Sequence, residues 1–174
     1  STRIEELTAL WSEVLARCRY SKDFSGTAGK RDSWQTPPDT YSLRHGDCED
    51  TSLLLADWLI ARGFNARVVI GNAPGKGEHA WCVAELDGRQ YLLETTLESI
   101  PSSPPETQWE ATRYQPRFSF DRQKIYFIKE SPDTISDYFS PKLWESYAYP
   151  IPLTAGVPSI ALHPSETSEL PKTP

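Results

Sequence analysis

The chain has 174 residues, 38% of them hydrophobic, with 18 Lys and Arg against 24 Asp and Glu and a formal net charge of −6. That is enough chain to bury one sizeable core, while the acidic balance, a pI near 5.1 and the lack of a basic run argue against a nucleic-acid surface. No stretch approaches the roughly 18 apolar residues of a membrane span, and three cysteines, an odd number, argue against a disulfide framework.

Ser1 at the start and the absence of Met read as a processed product or an excised piece, so that an export signal could have been lost. Thr2 with Glu5 forms a capping-box start. Ile4, Leu7, Trp11, Val14, Leu15 and Cys18 then recur at helical spacing, which predicts an amphipathic helix packed on the core. Residues 20–38 are polar and contain glycine, a loop leading to the next element; Trp34 and Tyr41 within and after it are read as an aromatic staple, or else as cleft walls.

Gly46-Asp47-Cys48-Glu49-Asp50 stands directly before the apolar run 51–60, so Cys48 falls at a helix start. A helix N-terminus carries about half a positive charge and favours the thiolate, the attacking form of cysteine. Asp47, Glu49 and Asp50 oppose this, since each makes a further negative charge nearby more costly. A structural cysteine at a capped helix start is the alternative.

Gly63 stops the helix, residues 66–70 read as a strand, and 71–77 as a glycine-rich loop. The runs 79–86 and 89–94 flank Asp87-Gly88, a strong signal for a type I′ hairpin. Pairing Leu86 with Arg89 brings Trp81 opposite Glu94 and places His79, Trp81 and Glu94 on one face, with Ala80, Cys82 and Ala84 on the other. His79 and Glu94 are then diagonal neighbours at roughly 7 Å, a distance that a glutamate arm can span. Cys48, His79 and Glu94 thus form a candidate nucleophile, base and orienting acid. A zinc site from Cys48, His79 and Cys82 fails on the same alternation. His45 is too close in sequence to Cys48 for good in-line geometry, and His163 lies in the tail.

Residues 100–116, rich in Pro and Ser, read as a loop bordering a groove. Residues 118–120 and 124–128 read as strands, and 133–147 as helical turns interrupted at Pro141. The division expected is one catalytic domain over 1–149 and a proline-rich tail over 150–174.

Residues 34–39 (Trp-Gln-Thr-Pro-Pro-Asp) followed by Gly46-Asp47-Cys48-Glu49-Asp50 resemble the bacterial transglutaminase-like cysteine peptidases, a group that includes calcium-dependent periplasmic proteases acting on large adhesins. His79-Ala80-Trp81 and residues 91–96 resemble the wider transglutaminase-like superfamily. The resemblance spans 34–96. It implies an α+β fold of papain-like, transglutaminase-like type, in which a helix carrying the nucleophile packs on an antiparallel sheet carrying base and acid. It also implies Cys48 as nucleophile, His79 as base and Glu94 as orienting carboxylate, although relatives usually carry Asp at that third position. By position, Asp47, Glu49 and Asp50 correspond to residues that hold Ca²⁺ in the calcium-dependent members, and hard carboxylate oxygens suit that ion; capping the helix is the other role open to them. The expected activity is hydrolysis of a peptide or amide bond in a protein or peptide substrate through an acyl-enzyme, needing no cofactor for the chemistry itself. Transfer to an amine, a catalytically silent peptide-binding module and an amidase for small substrates are the competing readings. The resemblance points to an extracytoplasmic setting, a cytoplasmic one being the alternative, and the sequence leaves the oligomeric state open.

Overall fold

The computed structural model describes residues 2–20, 36–43, 45–129 and 134–149. Of the loop expected over 20–38, residues 21–35, with Trp34, lie outside the described residues, as does the tail over 150–174, with His163; the described ends of that loop are instead regular, Tyr20 in a strand and Pro37 and Pro38 in a helix.

Helix α1 spans Arg3–Arg17 and opens with the expected capping box between Thr2 and Glu5. It buries Leu7, Leu10, Trp11 and Val14. A short strand β1 (Arg19–Tyr20) pairs in parallel with β2 (His45–Gly46), and helix α2 (Pro37–Leu43) lies between them in sequence.

Helix α3 (Cys48–Ala61) is of another kind: residues from Asp50 to Leu59 are buried without a polar face. A helix buried on every side belongs inside the molecule, and α3 packs against α1, α2 and three strands. Burying each leucine of its run contributes about 2 kcal/mol. Its ends are well defined, since Asp47 at the N-cap accepts from Asp50 N while Asp50 Oδ2 accepts from Asp47 N, and Gly63 past the C-terminus takes the left-handed conformation.

Six strands follow: β3 (Asn65–Ala73), β4 (Gly77–Leu86), β5 (Arg89–Leu93), β6 (Gln115–Phe120), β7 (Lys124–Ile128) and β8 (Trp144–Ala148). They form one antiparallel sheet in the order β5-β4-β3-β6-β7-β8, and a one-turn helix α4 (Thr107–Glu110) precedes β6. The Asp87-Gly88 hairpin has the expected register, with Leu86 paired to Arg89 and Cys82 to Leu93, and both turn residues have positive φ. The segment expected to be a glycine loop over 71–77 is shorter than that, because β3 runs to Ala73 and β4 starts at Gly77.

Both faces of the sheet are covered. Ala66, Val68, Ala80, Cys82 and Phe120 meet the helices, while Val69, Trp81, Val83 and Leu92 meet Ile135, Tyr138 and Trp144. This second layer corrects the helical turns expected over 133–147. The described part of that segment is irregular up to Leu143 and then enters β8. Its apolar residues instead serve burial on the sheet, pinned by Arg67 donating to Tyr138 O and by Gln90 donating to Asp137.

Gly71 sits where β3, β4 and β6 are drawn tightest. It pairs with His79 on one side, and on the other the β3–β6 register shifts between Ile70 and Gly71. A Cβ there would lie 2.2 Å from the carbonyl oxygen of Gln115.

Candidate active site

Cys48 is the first residue of α3, half-buried, with the backbone of β4 beside it. The backbone N–H of Ala80 hydrogen-bonds to its sulfur. Its thiol donates to Oε2 of Glu49 at 3.2 Å rather than to an imidazole. Burial, followed by the charge and hydrogen bond of Glu49 and the charge of Asp47, pushes the thiol well above its ordinary value, against the smaller opposing pull of the Ala80 N–H. The helix dipole that favours the thiolate is outweighed here.

His79 is buried on β4 next to Ala80, and its Nε2 lies 2.9 and 3.1 Å from the two oxygens of Glu94. The expectation that Trp81 stands opposite Glu94 in the ladder is corrected, because the β4–β5 pairing ends at Leu93. Beyond it the chain turns, and Glu94 Oε1 accepts from the N–H groups of Thr95 and Thr96 and from Thr96 Oγ1. Leaving the ladder is what brings the carboxylate to the imidazole.

Two more groups complete the acid. Tyr114, just before β6, donates its hydroxyl to Glu94 Oε2 at 2.9 Å, and Lys76 Nζ stands 3.6 Å from the same oxygen. Burial alone would raise the Glu94 carboxyl. The hydrogen bond and charge of His79, with Lys76 and Thr96, outweigh it and hold the group at about 2. Sequence reasoning missed both residues: Tyr114 lies in a segment read as loop, and Lys76 between glycines at a hairpin tip carried no pattern. Trp11 of α1 fixes the same point from below by donating to the Glu94 carbonyl at 2.9 Å.

With Nε2 committed to Glu94, Nδ1 is the imidazole nitrogen outside that pair. The other two cysteines are buried, and burial raises the Cys18 thiol to about 11. Tyr41 packs edge-on against Trp58 at 5.6 Å with Arg17 stacked over it, an aromatic staple.

The acidic trio is a corner of excess negative charge. Burial, a hydrogen bond with Glu49 and the charges of Asp50 and Glu49 raise the Asp47 carboxyl to about 10. The donors have the hard-oxygen chemistry Ca²⁺ takes, but their arrangement does not fit a site. Asp47 and Asp50 are engaged in the cap, Glu49 accepts from the thiol, and among the described residues no group of three or more His, Cys, Asp or Glu is placed to hold a metal ion.

A cleft of about 470 Å³ opens on the far side of Glu94, between Lys76 on the β3–β4 hairpin, Leu97, Pro101 and Pro105 on the following loop, and Tyr114.

Residues 32–127 match the CEP76 peptidase-like domain. The chain belongs to that family. In this CEP76 peptidase-like domain the matched span contains Cys48, His79, Glu94 and Tyr114 together. At the level of sequence, no curated protein matches the chain. Among solved structures the fold is shared with LapG of Legionella pneumophila. An EGTA-treated form superposes with a TM-score of 0.59 at 15% identity over 79% of this chain and 74% of LapG, and a calcium-bound form at 0.55 and 17% over 80% and 81%. A further LapG structure aligns at 0.57 and 16%, over 71% of this chain and 66% of LapG, just under two thirds of its length. The fold is therefore the α+β transglutaminase-like one that the sequence resemblance implied. Among the described residues no helix is long and apolar enough to cross a membrane.

Proposed function

We propose that this domain is a cysteine peptidase that opens a peptide or amide bond through an acyl-enzyme on Cys48. The observation that carries the reading is the two-oxygen hydrogen bond between Glu94 and His79 Nε2, with Glu94 held ionised. A buried carboxylate in that position fixes the imidazole orientation and stabilises the imidazolium form. His79 Nδ1 takes the Cys48 proton, and sulfur attacks the carbonyl carbon. The C–N bond breaks as the imidazolium returns the proton to the leaving amine. Water, deprotonated by His79, then cleaves the thioester and restores the thiol. The Cys48 N–H, in the first turn of α3 where no intrahelical acceptor exists, is the donor for the oxyanion. Transfer of the acyl group to an amine differs only in the final acceptor.

For the thiolate to form, Glu49 must release the thiol. That requirement favours a second reading, a peptide-binding module on the same fold that is catalytically silent. Incubating a peptide library with the wild-type protein and Cys48→Ala, with mass spectrometry of the products, separates the two. Cleavage by the wild type alone supports the peptidase; equal inactivity of both, with Cys48 no faster than Cys18 or Cys82 toward iodoacetamide, overturns it.

A bound cation is a separate question. One form of LapG is calcium-bound, and an ion at the acidic corner would favour the ionised form of Asp47 that its surroundings now oppose. For this chain it would require the cap to rearrange or oxygens from residues outside the described ones, so the chemistry proposed above takes no step through it.

A further inference from the structure

Glu94 differs from the aspartate usual in relatives by one methylene, and each added rotatable bond gives a carboxylate more ways to point. Its surroundings remove that freedom. Oε1 is held by its own turn, through Thr95 N, Thr96 N and Thr96 Oγ1. Oε2 depends on a residue 20 positions away, the hydroxyl of Tyr114. Tyr114 is 8% exposed, so its hydroxyl has given up solvent for this one bond. The ring is held in turn. It packs edge-on against Trp81 with centroids 5.0 Å apart, and Trp81 stacks beside His79 at 6.2 Å. Tyr114, Glu94, His79 and Trp81 therefore close a ring of contacts in which acid and base are fixed by the same aromatic wall.

We propose that Tyr114 is a positioning residue of the site, its hydroxyl locking the longer Glu94 arm and drawing off part of its negative charge, so that it sets how strongly His79 holds its proton. The inference rests on the peptidase reading for its consequence, but its own observable is the imidazole. Burial and the Glu94 charge push the Tyr114 phenol up, so it remains a proton donor across the working range. Removing the hydroxyl concentrates the carboxylate charge on His79 and strengthens the imidazolium.

The test is titration of ¹⁵N-histidine-labelled protein by NMR, alongside the pH profile of Cys48 alkylation by iodoacetamide. In Tyr114→Phe the His79 midpoint should rise by about one pH unit, with the thermal midpoint nearly unchanged and the alkylation profile moving with it. Site-specific fluorotyrosine at 114, a stronger donor of the same shape, should move the His79 midpoint down; it also serves should the Phe variant fold poorly. An unchanged His79 midpoint in both folded variants would mean that Tyr114 only packs. The peptidase reading fails differently: His79→Ala would leave the Cys48 alkylation profile unaltered, whatever Tyr114 does to the imidazole.

Discussion

The two halves of the site are built to opposite standards. At the acid–base end every oxygen of Glu94 has donors, the carboxyl is held at about 2, and His79 has one orientation. At the nucleophile end Cys48 stands among Asp47, Glu49 and Asp50, its thiol tied to a carboxylate and pushed up, with Asp47 raised to about 10. Preorganised charge costs little when it is hydrogen-bonded, whereas like charges crowded at a helix start are an internal stress. On the proposed peptidase reading the base is ready at rest and the nucleophile is restrained, so release of the thiol by Glu49 would control activity.

The comparison breaks most severely at its prepared half. Glu94→Gln keeps the shape but removes the charge that orients His79, and turnover should fall by two or more orders of magnitude, as when a triad acid is lost. Steady-state kinetics with the substrate found in the library measures this; near-normal turnover would assign the orientation to the backbone or to another acid, Glu98 being next in sequence.

The restrained half should respond in the opposite direction. Glu49→Gln removes both the charge and the charged acceptor, so the Cys48 thiol should ionise more readily and iodoacetamide labelling at neutral pH should rise about 10-fold. A slower or equal rate would show that burial alone controls the thiol.

Stability against pH sharpens the contrast. Glu94 has a folded value below its ordinary 4.5, so its contribution is present above that pH and is lost as pH falls toward about 2. Asp47 is raised from 3.8 to about 10, so the folded state binds the extra proton in between and stability declines as pH rises through that window. Asp47→Asn, which retains a good N-cap side chain, should flatten the alkaline decline of the thermal midpoint and leave the acid decline in place. If both limbs persist unchanged, Asp47 is not the group responsible.

The smallest effect concerns calcium. Added Ca²⁺ should raise the thermal midpoint by a few degrees if about 1 kcal/mol of repulsion is relieved at the acidic corner, with reversal by EGTA and no response in Asp47→Asn. Identical melting with Ca²⁺ and EGTA would leave the three residues with the cap alone.

Local chemistry made much of this readable in advance. Asp87-Gly88 dictates its turn and the turn dictates the register as far as Cys82 and Leu93, while Glu94 reaches His79 from beyond the ladder; the capping signals at Thr2 and before α3 were equally local. What failed depended on distant partners. Residues 134–143 were expected as helical turns, and only their burial against the second face of the sheet explains their irregular path. Tyr114 reaches Glu94 across 20 residues, and the hydrogen bond from the Cys48 thiol to Glu49 depends on how a side chain turns at a crowded helix start. No periodicity encodes either.

Gly71 carries no functional group, yet it stands between the strand that bears His79 and the segment that follows Tyr114. With a carbonyl 2.2 Å from where its Cβ would be, one added methyl group must wedge β6 away from β3 and carry the Tyr114 ring off its carboxylate. A saturation scan of the domain should therefore score this position among its least tolerant, alongside residues that take part in the reaction, for want of an atom rather than for possession of one.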